Sequence, residues 1–403
     1  MTEFSPWAKE HRANPHPLYD RMRAEAPVYR GVGPITGRGF WFLTRYDDAV
    51  SALRDRRIGK EVEKHIPDVV LEQDDSGLDV FGRSMLFVDP PDHTRLRRLV
   101  AKAFTPRAIA SLEQRIAAIA DDLLDSLEGR PSIDLIDDFA FPLPVTVIAE
   151  LLGVPVEDRE KFRRWTKTLL FADTIEHAQV AGFEFIAYMN DQIDQRRSQP
   201  ADDLITHLVH HEDEGDRLDH AETLSMILLL LIAGHETTVN LIGNGMLALL
   251  DHPDELQRLR ADPGLVAGAI EEMLRYDGPV EIATIRWAFE DVEIGGVTIP
   301  AGEIVVPVLS AANRDPAVFE NPGRFDASRP DNRHIAFGSG IHQCLGAPLA
   351  RLEATVAFPR LLARAVRLEA GCDTDDLPWN EALFLRGVKW MPLNVVEWAK
   401  PRD

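Results

Sequence analysis

One decapeptide constrains this chain more than any other feature: Phe337-Gly338-Ser339-Gly340-Ile341-His342-Gln343-Cys344-Leu345-Gly346. It places a cysteine at the end of a glycine-loosened turn, just before a helix expected to begin near Leu345 and Ala347. Nearby backbone N–H groups and the positive end of a helix both favour a thiolate over a thiol. Gly338, Gly340 and Gly346 let the main chain curl closely around the sulfur with no Cβ in the way. Phe337 is placed to shield the metal-binding side from water. A thiolate held this way is suited to serve as an axial iron ligand, tuned by its hydrogen-bonded surroundings.

Other chemistries that use glycine and cysteine fit less well. A lone cysteine is more often a small buried hydrophobe than a ligand, so the spacing carries the reading and the residue alone does not. A phosphate loop needs Gly-Lys-Ser/Thr, which does not follow, and Gly338-x-Gly340 meets Gln343 where a third glycine belongs. A zinc site beginning at His342 and Cys344 lacks partners, because the one other cysteine is Cys372 and no Cys-x-x-Cys exists. Covalent attachment of c-type haem is excluded by the absence of Cys-x-x-Cys-His.

The chain has 403 residues, 45% of them hydrophobic, enough for a large core. Length alone suggests two or three domains, yet no linker, repeat or low-complexity tract divides it. A formal charge of -22 argues against an extended nucleic-acid surface. Two cysteines cannot build a disulfide framework, and a thiolate ligand suits a reducing compartment. The first nineteen residues are polar and broken by proline, so neither a signal core nor a membrane anchor is expected. The apolar run Met226–Ala233 is too short to cross a bilayer. A cytoplasmic protein, monomeric and with no membrane partner, is the expectation.

Four further motifs stand in order along the chain. Asp89-Pro90-Pro91-Asp92-His93 opens a helix in which His93 and Arg97, four apart, share a face suited to clamping a carboxylate. Each charge-assisted contact there would be worth about 1.5–3 kcal/mol. Arg95, Arg98, Lys102 and Arg107 add a basic patch to an otherwise acidic chain. A long helix expected over 221–252 carries Ala233-Gly234-His235-Glu236-Thr237-Thr238, where two small residues leave room against the helix. One turn on, an acid and a hydroxyl sit side by side. Thr237 is placed to bond back to the carbonyl of Ala233 and open the helical ladder locally. Glu272 and Arg275 lie three apart on one face of a helix expected over 264–276 and can pair. Pro322-Gly323-Arg324-Phe325 sits in a coil dense in proline, glycine and charge.

The spacing Phe-x-x-Gly-x-x-x-Cys-x-Gly resembles the cysteine loop of the cytochrome P-450 family, the haem-thiolate monooxygenases. The other four motifs resemble that family's in the same order, so the likeness spans nearly the whole chain. It departs from the family at Gly323, where an acid is usual. The resemblance implies a mainly α fold with small β-sheet regions, one triangular-prism-like haem domain over 1–403 with no fused reductase or ferredoxin. It implies haem b, bound non-covalently through the Cys344 thiolate. His93, Arg97, Arg286 and His342 would contact the propionates, and Phe337, Gly338, Ala233 and Gly234 would lie against the ring. Glu236 would relay protons while Thr237 holds oxygen and a water. Glu272, Arg275 and Arg324 would form a buried structural trio, and the loop over 59–89 would roof the substrate pocket. Pocket candidates are Val80, Phe81, Phe87, Leu169, Leu170, Phe171, Ile232, Ile282, Ala283, Thr284, Phe384 and Leu385. The implied reaction hydroxylates, epoxidises or dealkylates an apolar substrate of small to medium size. It uses O2 and electrons from NAD(P)H, passed through a reductase and a ferredoxin docking near Arg95, Arg98 and Lys102. Alternatives on the same scaffold are a peroxide-driven peroxygenase, a non-catalytic haem-thiolate sensor or electron carrier, and a redox-independent isomerase or dehydratase.

Overall fold

The computed structural model of the chain describes residues 4–6, 8–32, 39–66, 82–171, 174–213, 215–382 and 384–399. It is mainly helical with small sheets, and its backbone groups into two compact units. One comprises Met1–Val69, Ala120–Phe141 and Thr237–Asp403, the other Val70–Ile119 and Pro142–Glu236. Two of the four boundaries fall inside helices, since Glu113–Leu127 and His220–Asp251 each carry the chain from one unit into the other.

The first unit holds every sheet among the described residues. Five strands lie in the order Val28–Val32, Gly39–Leu43, Ile304–Pro307, Arg286–Ala288 and Ile58–Gly59. The first two form an antiparallel pair, with Val28 opposite Leu43, and Phe40 runs parallel beside Ile304. Leu43, Ile58, Ala288 and Val305 bury one face in a cluster with Ala52, Val292 and Ile299. Val292–Ile294 and Val297–Ile299 pair around Gly295 and Gly296, both at positive φ as so tight a turn requires. Of the segment 280–288, the ladder takes only Arg286–Ala288. Upstream, Val280 makes an isolated bridge to Leu385. Glu281 is held off the sheet by the Tyr19 hydroxyl, which donates to it, and by Arg12 at 3.5 Å.

Arg275 and Glu272, on the helix Val266–Asp277, are both fully buried and pair through two hydrogen bonds of 2.7 and 2.8 Å. The remaining donors of Arg275 go to the carbonyls of Asn313, Pro322 and Arg324 at 2.8 to 3.1 Å. The third member of the trio is Arg329 and not Arg324. Arg329 Nε donates to both oxygens of Glu272 at 3.1 and 3.0 Å, and Arg324 contributes only its carbonyl. The reason is local: Asn321 sits at φ 45 and Arg324 N–H closes the turn onto its carbonyl, which leaves the Arg324 side chain exposed.

The second unit is helical: Asp92–Ala101, Pro106–Ser111, Pro142–Leu152, Arg159–Phe171, Ile175–Ser198 and Leu204–His210. Its helix ends follow the side chains, with Asp203 accepting from Thr206 N–H at 2.8 Å and Gly153 at φ 79 ending Pro142–Leu152. Pro106–Ser111 and Glu113–Leu127 are separate helices, because Leu112 N–H turns back to Ile109 and tightens the chain there.

Because breaking a buried pair strands a charge, Arg275→Ala is expected to destabilise the protein by about 3–5 kcal/mol. Arg329→Ala, which leaves Arg275 in place, should cost about 1.5–3 kcal/mol, and Arg324→Ala should stay within about 0.5 kcal/mol. Urea unfolding of the three variants checks the ranking.

Candidate active site

The helix Ala347–Arg364 follows the cysteine loop directly, so Cys344 lies at its N-terminal end with an exposed thiol. Its own N–H donates to Phe337 carbonyl at 2.9 Å, which closes the loop on itself. Gly338 and Gly340 stand at φ 71 and 75, a region that favours glycine. Gly340 has a second reason to lack a side chain: a Cβ there would fall inside the van der Waals envelope of the Leu53 carbonyl oxygen. A Cβ at Gly338 would meet nothing within 4 Å, and one at Gly346 would come within 3.9 Å of Cys344 Sγ. The loop therefore packs on the helix Tyr46–Arg54, where Arg54 Nε donates to Ser339 Oγ at 2.8 Å.

Arg351, unmarked by the motif spacing, stands one turn into the cysteine helix with its guanidinium 4.5 Å from the centre of the Phe337 ring. It forms a fork on Glu271 at 2.6 and 2.8 Å. That bond, and to a lesser degree the charge of the Cys344 sulfur, raises its pKa. Burial alone would raise Glu271, but Arg351 and His334 hold it down at about 2. No helical spacing could have marked Arg351, because Cys344 lies three residues ahead of the helix that carries it.

The long helix His220–Asp251 is α-helical without interruption, so Thr237 does not open its ladder. In this turn His235 Nδ1 lies 2.7 Å from the Leu231 carbonyl. Burial pushes His235 down to about 4, so the ring is neutral and Nδ1 carries the proton. From Thr223 to Leu249 every residue is buried except Ile232, Ala233, Gly234 and Thr237. Ala233 and Thr237, four apart, share a face, and Gly234 widens it. Small residues and one hydroxyl are thus what this stretch of the helix leaves uncovered, with the buried carboxyl of Glu236 adjoining in sequence.

His93 is buried and Arg97 half-buried on one face of Asp92–Ala101, as the spacing requires. Burial, and then the Arg97 charge, push the His93 pKa down. Arg286 is buried in its strand and donates to Thr284 carbonyl at 2.9 Å. His342 is half-buried in the short turn Gly340–His342. A thiol at a helix N-terminus, a small-residue opening on an apolar helix, and cations and imidazoles suited to carboxylates are a donor set that fits haem b.

The expected pocket wall is corrected in part. Ile282 and Ala283 are 1% and 6% exposed, and Ala283 packs in a core cluster with Ala49, Leu53 and Leu309. The half-exposed residues of that segment are Thr284 and Ile285, tied by Lys60, whose ammonium donates to Thr284 Oγ1 at 2.7 Å and Ile285 carbonyl at 2.6 Å. Phe384 and Leu385 are half-buried and Phe87 exposed. Val80 and Phe81, and the side chains of Leu170 and Phe171, lie outside the described residues. The basic patch is also not what composition implied. Arg98 and Lys102 both pair with Asp213 at 2.8 Å, and Arg95 pairs with Glu222 and with Asp216 at 3.4 Å.

Residues 172–370 match the family model described as Cytochrome P450. The chain is 48% identical over 385 residues to Cytochrome P450 107B1 of Saccharopolyspora erythraea, covering 94% of each. It is 45% identical over 398 residues to Cytochrome P450 monooxygenase PikC of Streptomyces venezuelae, covering 98% of this chain and 94% of the other. Its structure is similar to that of the polyketide synthase cytochrome P450 PksS of Bacillus subtilis, with a TM-score of 0.92 at 43% identity, covering 98% of this chain and 100% of that one.

The two loop glycines should respond differently to a methyl group. Gly338→Ala bears only the left-handed backbone, about 1–2 kcal/mol, whereas Gly340→Ala adds the collision with Leu53, about 1–3 kcal/mol more. Thermal unfolding, with the Soret-to-protein absorbance ratio as a second readout, should place Gly340→Ala well below Gly338→Ala.

Proposed function

Because the chain belongs to the cytochrome P450 family, we propose that the Cys344 thiolate would hold its haem b and that Glu236 and Thr237 would manage the protons of its reaction. The protein is a haem-thiolate monooxygenase. When bound, the haem supplies activation of O2 with electrons from NAD(P)H, so that one oxygen atom enters an apolar substrate and the other leaves as water. Around it, this chain's residues bind, orient and move protons. The loop amides and the start of Ala347–Arg364 favour the Cys344 anion, and Phe337, held under Arg351, keeps water from it. His93 with Arg97, and Arg286 with His342, bind the propionate carboxylates. Thr237 holds a water at the opening of the long helix by its hydroxyl, and the Glu236 carboxyl passes protons toward it from solvent. Ala233 and Gly234 leave the room this needs.

The observation that carries the reading is the presentation of Cys344: a thiol at the start of a helix, in a loop whose two positive-φ glycines and arginine-backed phenylalanine are fixed by the fold. The substrate we propose is a polyketide-like or comparably apolar molecule. PksS is by its name a polyketide-biosynthesis enzyme, and the half-buried Phe384 and Leu385 offer apolar side chains. We propose a single haem domain, monomeric and cytoplasmic, whose acidic ferredoxin docks at Arg95, Arg98 and Lys102 by displacing Asp213 and Glu222. The Arg98 and Lys102 ends of these pairs are open to solvent, and pairs near water bind weakly enough to be exchanged.

Cys344→Ser should abolish the long-wavelength Soret band of the reduced, carbon monoxide-treated protein; retention of that band would overturn the thiolate assignment. Thr237→Ala should keep haem content and divert NAD(P)H electrons to hydrogen peroxide, and unchanged product per NAD(P)H would remove Thr237 from the proton path. Asp213→Asn should tighten ferredoxin binding about two- to fivefold at low salt, read by titration; weaker or unchanged binding would move the docking site elsewhere.

A further inference from the structure

The turn 381–387 carries Phe384 and Leu385 but has little regular structure to hold it. Leu385 makes an isolated bridge to Val280, and the Phe384 carbonyl accepts from Glu281 N–H at 2.9 Å. The firmer hold comes from side chains behind the turn. Arg386 is 4% exposed, and its guanidinium lies 3.8 Å from the centre of the Trp379 ring. Its Nε donates to Asp277 Oδ1, at the end of helix Val266–Asp277, at 2.6 Å. Its two terminal nitrogens donate to the carbonyls of Arg12 at 2.5 Å and Ala13 at 2.9 Å. Burial alone would raise Asp277, but the charge of Arg386 above all holds it well below the usual carboxylate range.

The same N-terminal segment reaches the turn a second time. Tyr19, 2% exposed, donates to the carboxylate of Glu281. Arg12 lies 3.5 Å from that carboxylate and donates to the Ala382 carbonyl at 3.1 Å. The long helix closes the other side: Asn244 Nδ2 donates to the Arg386 carbonyl at 3.0 Å, and a Cβ at Gly387 would collide with the Asn240 side chain. All of these groups belong to the first unit.

Apolar side chains such as Phe384 and Leu385 have no directional bond of their own, so the shell gripping their main chain sets where they stand. A planar guanidinium can serve a carboxylate, two carbonyls and a ring face at once, and an ammonium cannot. We propose that Arg386 and Tyr19 are positioning residues for substrate: through them the segment 12–19 sets the stance of Phe384 and Leu385, and so which substrate is preferred. The idea rests on the reading above that these two apolar side chains face the substrate.

The test uses holoproteins and two ligands of the haem iron, imidazole and 4-phenylimidazole, which bind through a ring nitrogen and differ by one phenyl group. Their dissociation constants are read from the Soret shift. Arg386→Lys should lower the preference for 4-phenylimidazole over imidazole about fivefold or more, since a misplacement of about 1 Å is enough for such a loss. Tyr19→Phe, which removes one hydrogen bond to a charged group, should lower it about twofold or more. Imidazole binding alone should be unchanged in both, and the backbone amides of Glu281 and Arg386 should exchange with solvent faster. An unchanged preference in either variant, or equal weakening of the two ligands, overturns the proposal. If Arg386→Lys does not fold, Tyr19→Phe decides on the same outcomes. If Phe384→Ala and Leu385→Ala both leave the preference unchanged, the substrate-facing reading fails separately, while the exchange rates still report whether the segment 12–19 holds the turn.

Discussion

A carboxylate and a guanidinium withdrawn together from water must have every lone pair and N–H group answered, or the desolvation of the pair exceeds their attraction. Glu272 and Arg275 meet that demand by recruiting chain. Glu272 accepts from Arg275, Arg329, Asn332 and the N–H of Asp326. Arg275 gives its remaining protons to carbonyls at Asn313, Pro322 and Arg324. An irregular stretch with little regular structure of its own is thus wound around one ion pair. It runs straight into the cysteine loop: Asn313 Oδ1 accepts from Ile335 N–H at 2.8 Å, and Gly338 N–H turns back to the Ile335 carbonyl.

From there the loop is pinned on two sides. Gly340 lies against the Leu53 carbonyl, and Arg54 holds Ser339; Phe337 is backed by Arg351, itself held by Glu271 on the same helix that bears Glu272. Helix Val266–Asp277 thus governs the sulfur twice, through the coil that leads to the loop and through the arginine behind its aromatic shield. An anion needs such prior organisation, because a donor that must move to meet a charge gives back much of what it contributes.

The parts of the site legible in the sequence were those fixed by local spacing. Cys344 and its glycines, His93 with Arg97, and Glu272 with Arg275 all sit within a few residues of one another, where helical period and turn chemistry decide the outcome. Partners brought from a distance were not legible. Arg329 and Arg324 are both arginines of the same coil, and only the turn at Asn321 determines which one faces Glu272. Composition made Arg95, Arg98 and Lys102 a bare patch, but Asp213, Asp216 and Glu222 arrive more than a hundred residues later and pair with them. The segment 280–285 alternates as a strand should, yet Tyr19 and Arg12 hold Glu281 elsewhere, so Thr284 and Ile285 become its open positions.

The long helix holds the most direct argument about what lies beside it. By length and composition it could cross a membrane, but 78% of its most apolar window is buried inside the protein, so its apolarity is that of a core element. Glycine inside a helix costs about 1 kcal/mol relative to alanine, and each such glycine calls for a cause. At Gly245 the cause is packing, since a methyl group would strike Met273 Sδ and the Phe358 ring. At Gly234 packing supplies none: the nearest atom to an added Cβ is Ile148 Cδ1 at 3.7 Å, an ordinary contact. The fold would accept alanine there and be steadier for it. What alanine would fill is the opening beside Ala233 and Thr237, so the reason for this glycine lies in the space that the helix keeps clear.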